Sequence, residues 1–195
     1  MTNKGLFLFL IGFFFTLAAG WTILPEVLYR TEAQPMEFNH KIHTGDQGGL
    51  ACDACHTFSD DGRFEGVPTV SKCAECHSSP MGDSRAEKTL VENYVTPNRE
   101  PEWRVYARQP DNAYFSHATH VKMAGIACEK CHGQHGTSEA LASYQVDRIS
   151  GYSRDITGRS AFATSSDPSR KMTMDACVHC HDKNGNKTGC IECHK

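Results

Sequence analysis

The sequence predicts a chain with little regular secondary structure: short helices and long loops, packed around something other than an apolar core of its own, and tethered by one N-terminal transmembrane helix. Three observations predict it. All ten cysteines fall in five Cys-x-x-Cys-His motifs. About 170 of the 195 residues lie outside an apolar N-terminal run, roughly 34 residues for each motif, too few to build a conventional core around every site. Glycine and proline together supply 24 residues (16 and 8), which suits loops.

The motifs are Cys52-Asp-Ala-Cys55-His56, Cys73-Ala-Glu-Cys76-His77, Cys128-Glu-Lys-Cys131-His132, Cys177-Val-His-Cys180-His181 and Cys190-Ile-Glu-Cys193-His194. Each reads as a c-type haem attachment site. Two thiols add across the two vinyl groups of one haem, and the following histidine binds the iron from one side. A disulfide scaffold or zinc knuckles built from paired Cys-x-x-Cys units would also use cysteines in pairs. Neither requires a histidine after every second cysteine, and an odd number of pairs suits one group per pair. Five covalent haems predict a role in moving electrons. With so little chain per haem, the haems themselves are expected to form the core, close to one another.

Residues 5–24, GLFLFLIGFFFTLAAGWTIL, carry no charge and match the ~20 residues that a helix needs to cross a bilayer. Lys4 before the run supports an N-inside orientation, and Trp21 and Tyr29 suit the outer interface. The competing reading is a cleaved signal peptide, with Ala18-Ala19-Gly20 as the cleavage region. The run exceeds the ~7–15 residues of a usual signal core, so residues 1–30 are read as a retained anchor in the bacterial inner membrane. On either reading the remainder is exported, and the haem domain is expected in the periplasm. The formal charge is −3 before any haem propionates are added. An acidic surface would steer a basic redox partner, although ordinary solubility explains the same balance.

Eleven histidines are present. Five are the proximal ligands His56, His77, His132, His181 and His194. His40, His43, His117, His120, His135 and His179 remain for five distal positions, one more than needed. Two histidines on every iron would leave no open position, which suits electron transfer rather than catalysis. Four of the six share a pattern: Phe38-Asn-His40-Lys-Ile-His43 stands eight residues before Cys52, and Phe115-Ser-His117-Ala-Thr-His120 stands seven before Cys128. Residues i and i+3 share one side of a helical turn, from which two imidazoles can diverge toward different irons. His135 and His179 are the further candidates. Met81, Met123, Met172 and Met174 are alternative axial ligands, with packing against porphyrin as their simpler role. The spare histidine also leaves room for a sixth haem without thioether links at a subunit interface, at the cost of methionine or five-coordinate iron elsewhere.

The chain reads as an unequal duplication. A two-haem module spans 31–82, a polar linker 83–113, and a three-haem module 114–195. Within the last, residues 136–175 form an insertion without Cys or His. A loop of that length serves binding or is a disordered excursion.

F-x-H-x-x-H followed by Cys-x-x-Cys-His resembles the class III cytochromes c, multihaem proteins of short helices and loops around stacked haems. The resemblance implies that His40 serves the haem on Cys52 and Cys55, and His117 the haem on Cys128 and Cys131. His43 and His120 would reach more distant haems, left unassigned. The stretch Trp103…Pro110…Phe115-Ser-His-Ala-Thr-His…Cys128-Glu-Lys-Cys131-His132-Gly133 is similar to the second module of membrane-anchored multihaem cytochromes in quinone-linked complexes. One transmembrane helix followed by two such modules resembles the cytochrome subunits of menaquinone reductase (Qrc) complexes and their relatives, the pentahaem subunits of alternative complex III. This implies an electron-carrying subunit that is not an enzyme by itself. Its implied partners are iron–sulfur, molybdopterin-like and multispan membrane subunits, membrane lipid, and a soluble periplasmic multihaem cytochrome. No nucleic acid is expected. Menaquinone reduction is the favoured outcome; in alternative complex III electrons leave quinol instead. A stand-alone membrane quinol dehydrogenase would lack F-x-H-x-x-H modules, and a multihaem reductase would need a vacant iron site.

Overall fold

The computed structural model describes residues 3–105, 111–151, 173–186 and 189–194, without the side chains of residues 24–26. Helix α1 (Asn3–Leu28) is the long element. Its 3–23 stretch has a mean hydropathy of 2.1 and none of it is buried against protein. Phe7, Phe9, Phe14 and Phe15 are each more than 60% exposed. A helix apolar on every side and packed on nothing has the character of a membrane span. Within it the Thr16 and Thr22 hydroxyls donate to the Gly12 and Ala18 carbonyls at 2.7 and 3.0 Å, which removes free polar groups from apolar surroundings. The helix continues through Pro25 to Leu28, beyond the apolar run itself.

Strand β1 (Tyr29–Glu32) follows directly and pairs antiparallel with β2 (Tyr144–Asp147), Tyr29 opposite Asp147 and Glu32 opposite Tyr144. The Arg148 N–H donates to Leu28 O at 2.8 Å, sealing the exit of α1. Strand β2 belongs to the 136–175 segment, so the inserted chain pairs with the segment that leaves α1; residues 152–172, including Met172, lie outside the described residues.

The other helices are short: α2 (His40–Thr44), α3 (Val70–Ala74), α4 (Arg85–Leu90), α5 (Glu129–His132), α6 (Met174–Lys183) and α7 (Cys190–Cys193). Helix α4 widens into a π turn over Val91–Val95, and a second π turn spans Ala118–Met123. Asn98, at φ 50°, turns the chain out of the first of these, with Arg99 N–H donating to Tyr94 O at 2.8 Å; asparagine tolerates that left-handed conformation.

The apolar core is small. Met36, Val70, Leu90 and Tyr94 pack together, joined by Cys73, Val95 and Trp103. The Tyr94 hydroxyl donates to Pro35 O at 3.2 Å, and Arg99 lies 5.0 Å from the Tyr94 ring centre. Leu90 and Tyr94 come from the 83–113 segment expected to be a polar linker. Residues 85–95 of that segment are helical and pack onto α3, because their apolar positions recur at helical spacing. This core positions the second Cys-x-x-Cys-His motif, whose Cys73 touches it.

Candidate haem centres

Each attachment motif folds as one helical turn. His56, His77, His132 and His194 each donate their backbone N–H to the carbonyl of the first cysteine in their motif at 2.9 Å. The fourth motif lies inside α6, whose first turn is capped by Thr173 Oγ1 accepting from Ala176 N–H at 3.3 Å. At positions i, i+3 and i+4 a helical turn brings two thiols and an imidazole to one face, as one haem edge with its axial ligand requires. None of the ten cysteines is paired in a disulfide.

Histidines from the two F-x-H-x-x-H segments face histidines of the motifs. The ring centres of His43 and His77 are 6.1 Å apart, those of His117 and His132 6.3 Å, and those of His120 and His181 6.0 Å. Two imidazoles on opposite sides of one metal, each with a bond of about 2.0 Å from nitrogen and a ring radius near 1.1 Å, would have centres about 6.2 Å apart. The three spacings fit that requirement. His40 lies close to His56: burial lowers its pKa most, followed by the charges of His56, His135 and His43. The first histidine of each pair therefore stays beside the motif that follows it, and the second crosses to a later one. The two positions that sequence alone left unassigned, His43 and His120, meet His77 and His181.

The ring hydrogen bonds decide which nitrogen is available. His43 Nδ1 is bonded to Asn39 O at 2.8 Å, His56 Nδ1 to Gly66 O at 2.9 Å and His120 Nδ1 to Ser116 O at 2.8 Å. A carbonyl only accepts, so Nδ1 carries the proton in all three and Nε2 presents its lone pair. His77 Nδ1 is bonded to the Glu87 carboxylate at 2.8 Å, and His40 Nδ1 lies 3.3 Å from the Ser138 hydroxyl. The Met81 N–H above all, with His77 and the Gly82 N–H also contributing, holds the Glu87 carboxyl below its usual range. Burial, followed by neighbouring histidine charges, lowers the pKa values of His117 and His132, favouring the neutral imidazole that binds metal. Among the described residues the buried His181 Nδ1 has no hydrogen-bond partner from protein, a costly state for a buried imidazole unless another group engages the ring. By donor chemistry and spacing these residues fit haem.

The phenylalanines of the repeated segments brace the ligand pairs. Phe38 stacks on His43 at 4.6 Å and meets His40 edge-on at 4.8 Å. Phe115 repeats this with His120 at 4.7 Å and His117 at 4.8 Å. Phe64 stacks on His117 at 4.1 Å and lies 6.4 Å from His56, so it links the two halves. Nothing in the spacing of Phe64 or Glu87 signals these roles; Ser84-Arg-Ala-Glu87 has the form of a capping box, but the carboxylate turns to His77 and the 81–82 backbone instead.

The motifs also lie near one another. Burial raises the pKa of the Cys52, Cys55, Cys73 and Cys177 thiols, and neighbouring thiols raise them further: Cys128 for Cys52, Cys76 for Cys55, Cys55 for Cys73, and Cys131, Cys193 and Cys180 for Cys177. The adjacency runs second, first, third, fourth, fifth. His135 begins a short 3-10 turn, His135–Thr137, close to His40 and His132, and His179 lies on α6. His194 joins Ala113 in a β-bridge, with Tyr114 N–H donating to Cys193 O at 2.7 Å. Met81, Met123 and Met174 are well exposed.

Short helices that carry Cys-x-x-Cys-His turns, with histidine pairs set before them, are the arrangement of a multihaem cytochrome c, and residues 24–102 match the model of the class III cytochrome c family. The chain is also 34% identical, over 96% of its length and 89% of the relative's, to the multihaem cytochrome c subunit of menaquinone reductase from Nitratidesulfovibrio vulgaris strain Hildenborough. It belongs to that family of multihaem cytochrome subunits, and haem c attached through cysteine is its cofactor.

Proposed function

We propose that this chain is the electron-relay subunit of a membrane-bound quinone oxidoreductase, carrying electrons through five covalent haems between a periplasmic cytochrome and iron–sulfur and quinone subunits, with menaquinone reduction as the outcome. It is not an enzyme by itself. The observation that carries this reading is the set of three facing imidazole pairs at 6.0–6.3 Å, a spacing suited to six-coordinate iron and therefore to electron passage rather than substrate binding.

Bound haem supplies a one-electron iron couple. The cysteine pairs fix each ring to its own helical turn. His56, His77, His132, His181 and His194 are the proximal ligands. His43, His117 and His120 face those of the second, third and fourth motifs, His40 lies near that of the first, and His179, on α6 with the fourth motif, serves the fifth, because His135 lies near His40 and His132 instead. The carbonyls of Asn39, Gly66 and Ser116 hold the ring protons on Nδ1, which keeps Nε2 toward the metal. The thiol adjacency gives an electron route of second, first, third, fourth and fifth motif. Helix α1 anchors the chain, with the haem domain on the periplasmic side.

The test is purification from native membranes in mild detergent. Co-purification with iron–sulfur and multispan subunits, five haems per chain by mass, and an all-low-spin spectrum are expected. Isolation as a lone polypeptide that oxidises quinol unaided would overturn the relay reading.

A further inference from the structure

His77 differs from His43, His56 and His120 in what holds its ring. His43, His56 and His120 are each bonded to a neutral backbone carbonyl, whereas His77 Nδ1 faces the Glu87 carboxylate at 2.8 Å. Both side chains are largely withdrawn from water, 17% and 12% exposed. By contrast, the Lys41–Glu139 pair is 60% and 69% exposed, and there solvent and salt would screen most of the interaction.

The carboxylate is also fixed. Glu87 Oε1 accepts from Met81 N–H at 2.9 Å, and Oε2 accepts from Gly82 N–H at 3.1 Å. Its own N–H points at the Ser84 hydroxyl at 3.5 Å, at the start of α4. Glu87 is thus tied to the loop after the second motif, to α4 and to the histidine of that motif. It cannot follow the ring or retreat from it without breaking those bonds.

An ionised acceptor on Nδ1 draws that proton toward itself and makes the opposite nitrogen a stronger donor to metal. It also places a full negative charge next to the site in a poorly screened setting. Both effects favour the more positive, oxidised state of a metal bound at Nε2. We propose that Glu87 is a positioning residue that sets a low reduction potential for the haem on Cys73 and Cys76, making it harder to reduce than it would be with a neutral partner on His77. This rests on the reading of His77 as a haem ligand. In the adjacency of motifs this haem stands at one end of the row, where a low potential suits the hand-over to or from a strongly reducing partner.

The test uses the full-length chain with its haems attached, in detergent, as Glu87→Gln and Glu87→Asp variants. Haems are counted by intact mass, and the five transitions are followed by equilibrium redox titration. Glu87→Gln keeps the shape and removes the charge. One transition is expected to shift toward easier reduction by on the order of tenfold, which is 59 mV for a one-electron couple, with the other four unchanged. Glu87→Asp keeps the charge on a shorter arm and should move the same transition by less. A residue that merely clasps the 81–82 loop would lower stability and leave all five potentials alone; that result, with five haems retained, overturns the proposal. So does an Asp variant shifted as far as the Gln variant. If Glu87→Gln loses the haem, the Asp variant carries the test, and an unchanged titration there overturns the proposal. Failure of the ligand reading is separate and visible beforehand, as a high-spin haem at this site in the unmodified protein.

Discussion

Removal of His43 tests the crossed ligand arrangement directly. His43 stands beside the first attachment motif in sequence, but its ring faces His77 of the second at 6.1 Å. With five motifs, each haem contributes about one fifth of the low-spin signal. His43→Ala should convert that one fifth to a high-spin form. His77→Ala should also cost one fifth, through lost ligation or lost attachment. If the two rings share one iron, the double variant still costs one fifth; if they serve separate irons, it costs two fifths. Paramagnetic resonance at low temperature, scaled to haem content, measures the fraction. His43→Ala combined with His117→Ala is the control, expected to cost two fifths because those rings face different partners. A two-fifths loss in the His43/His77 double variant would refute the inference from ring spacing to shared iron.

Other outcomes follow from the packing and the caps. Val70 is 1% exposed in the small core; Val70→Ala removes two methyl equivalents and should cost about 2 kcal/mol, read as a lower denaturant midpoint at constant slope. Asn39 Oδ1 accepts from Ile42 N–H at 3.1 Å and caps α2, so Asn39→Ala should cost about 1 kcal/mol while its backbone bond to His43 survives, leaving the spectrum low-spin. Replacement of residues 2–28 by a cleavable signal peptide, which keeps export, should move the haem domain from the membrane pellet to the soluble fraction after cell breakage, if α1 is its main attachment to lipid. Retention in the pellet would point to contacts elsewhere, for example through partner subunits.

The Cys-x-x-Cys-His turns were legible in the sequence because their geometry is local. Two thiols and an imidazole at fixed offsets need only one helical turn, and that turn recurs in the structure with the same backbone bond of 2.9 Å. The F-x-H-x-x-H segments were legible for the same reason, as repeats. Partner choice was not. Whether His43 meets His56 or His77 depends on how α2 and α3 pack, a relation among residues far apart in sequence. Helix α4 and its π turn were hidden in a stretch dominated by charge and proline, although Leu90, Val91 and Tyr94 are core residues. Strand β2 was hidden because a four-residue strand paired with one other carries almost no periodic signal. The Glu87–His77 contact was invisible because the two residues lie ten positions apart across a loop.

The turns that carry histidine pairs have a consequence for assembly. Helix α2 is five residues long, well below the length at which a helix persists unaided. On the proposed ligation its shape depends on the haem at each of its two histidines, and each of those sites is shared with another segment. A chain loaded with only some of its haems would leave such turns half-supported, and the looseness would pass from site to site along the row. Maturation is then expected to be close to all-or-none: partly loaded chains open to proteases, and fully loaded ones resistant.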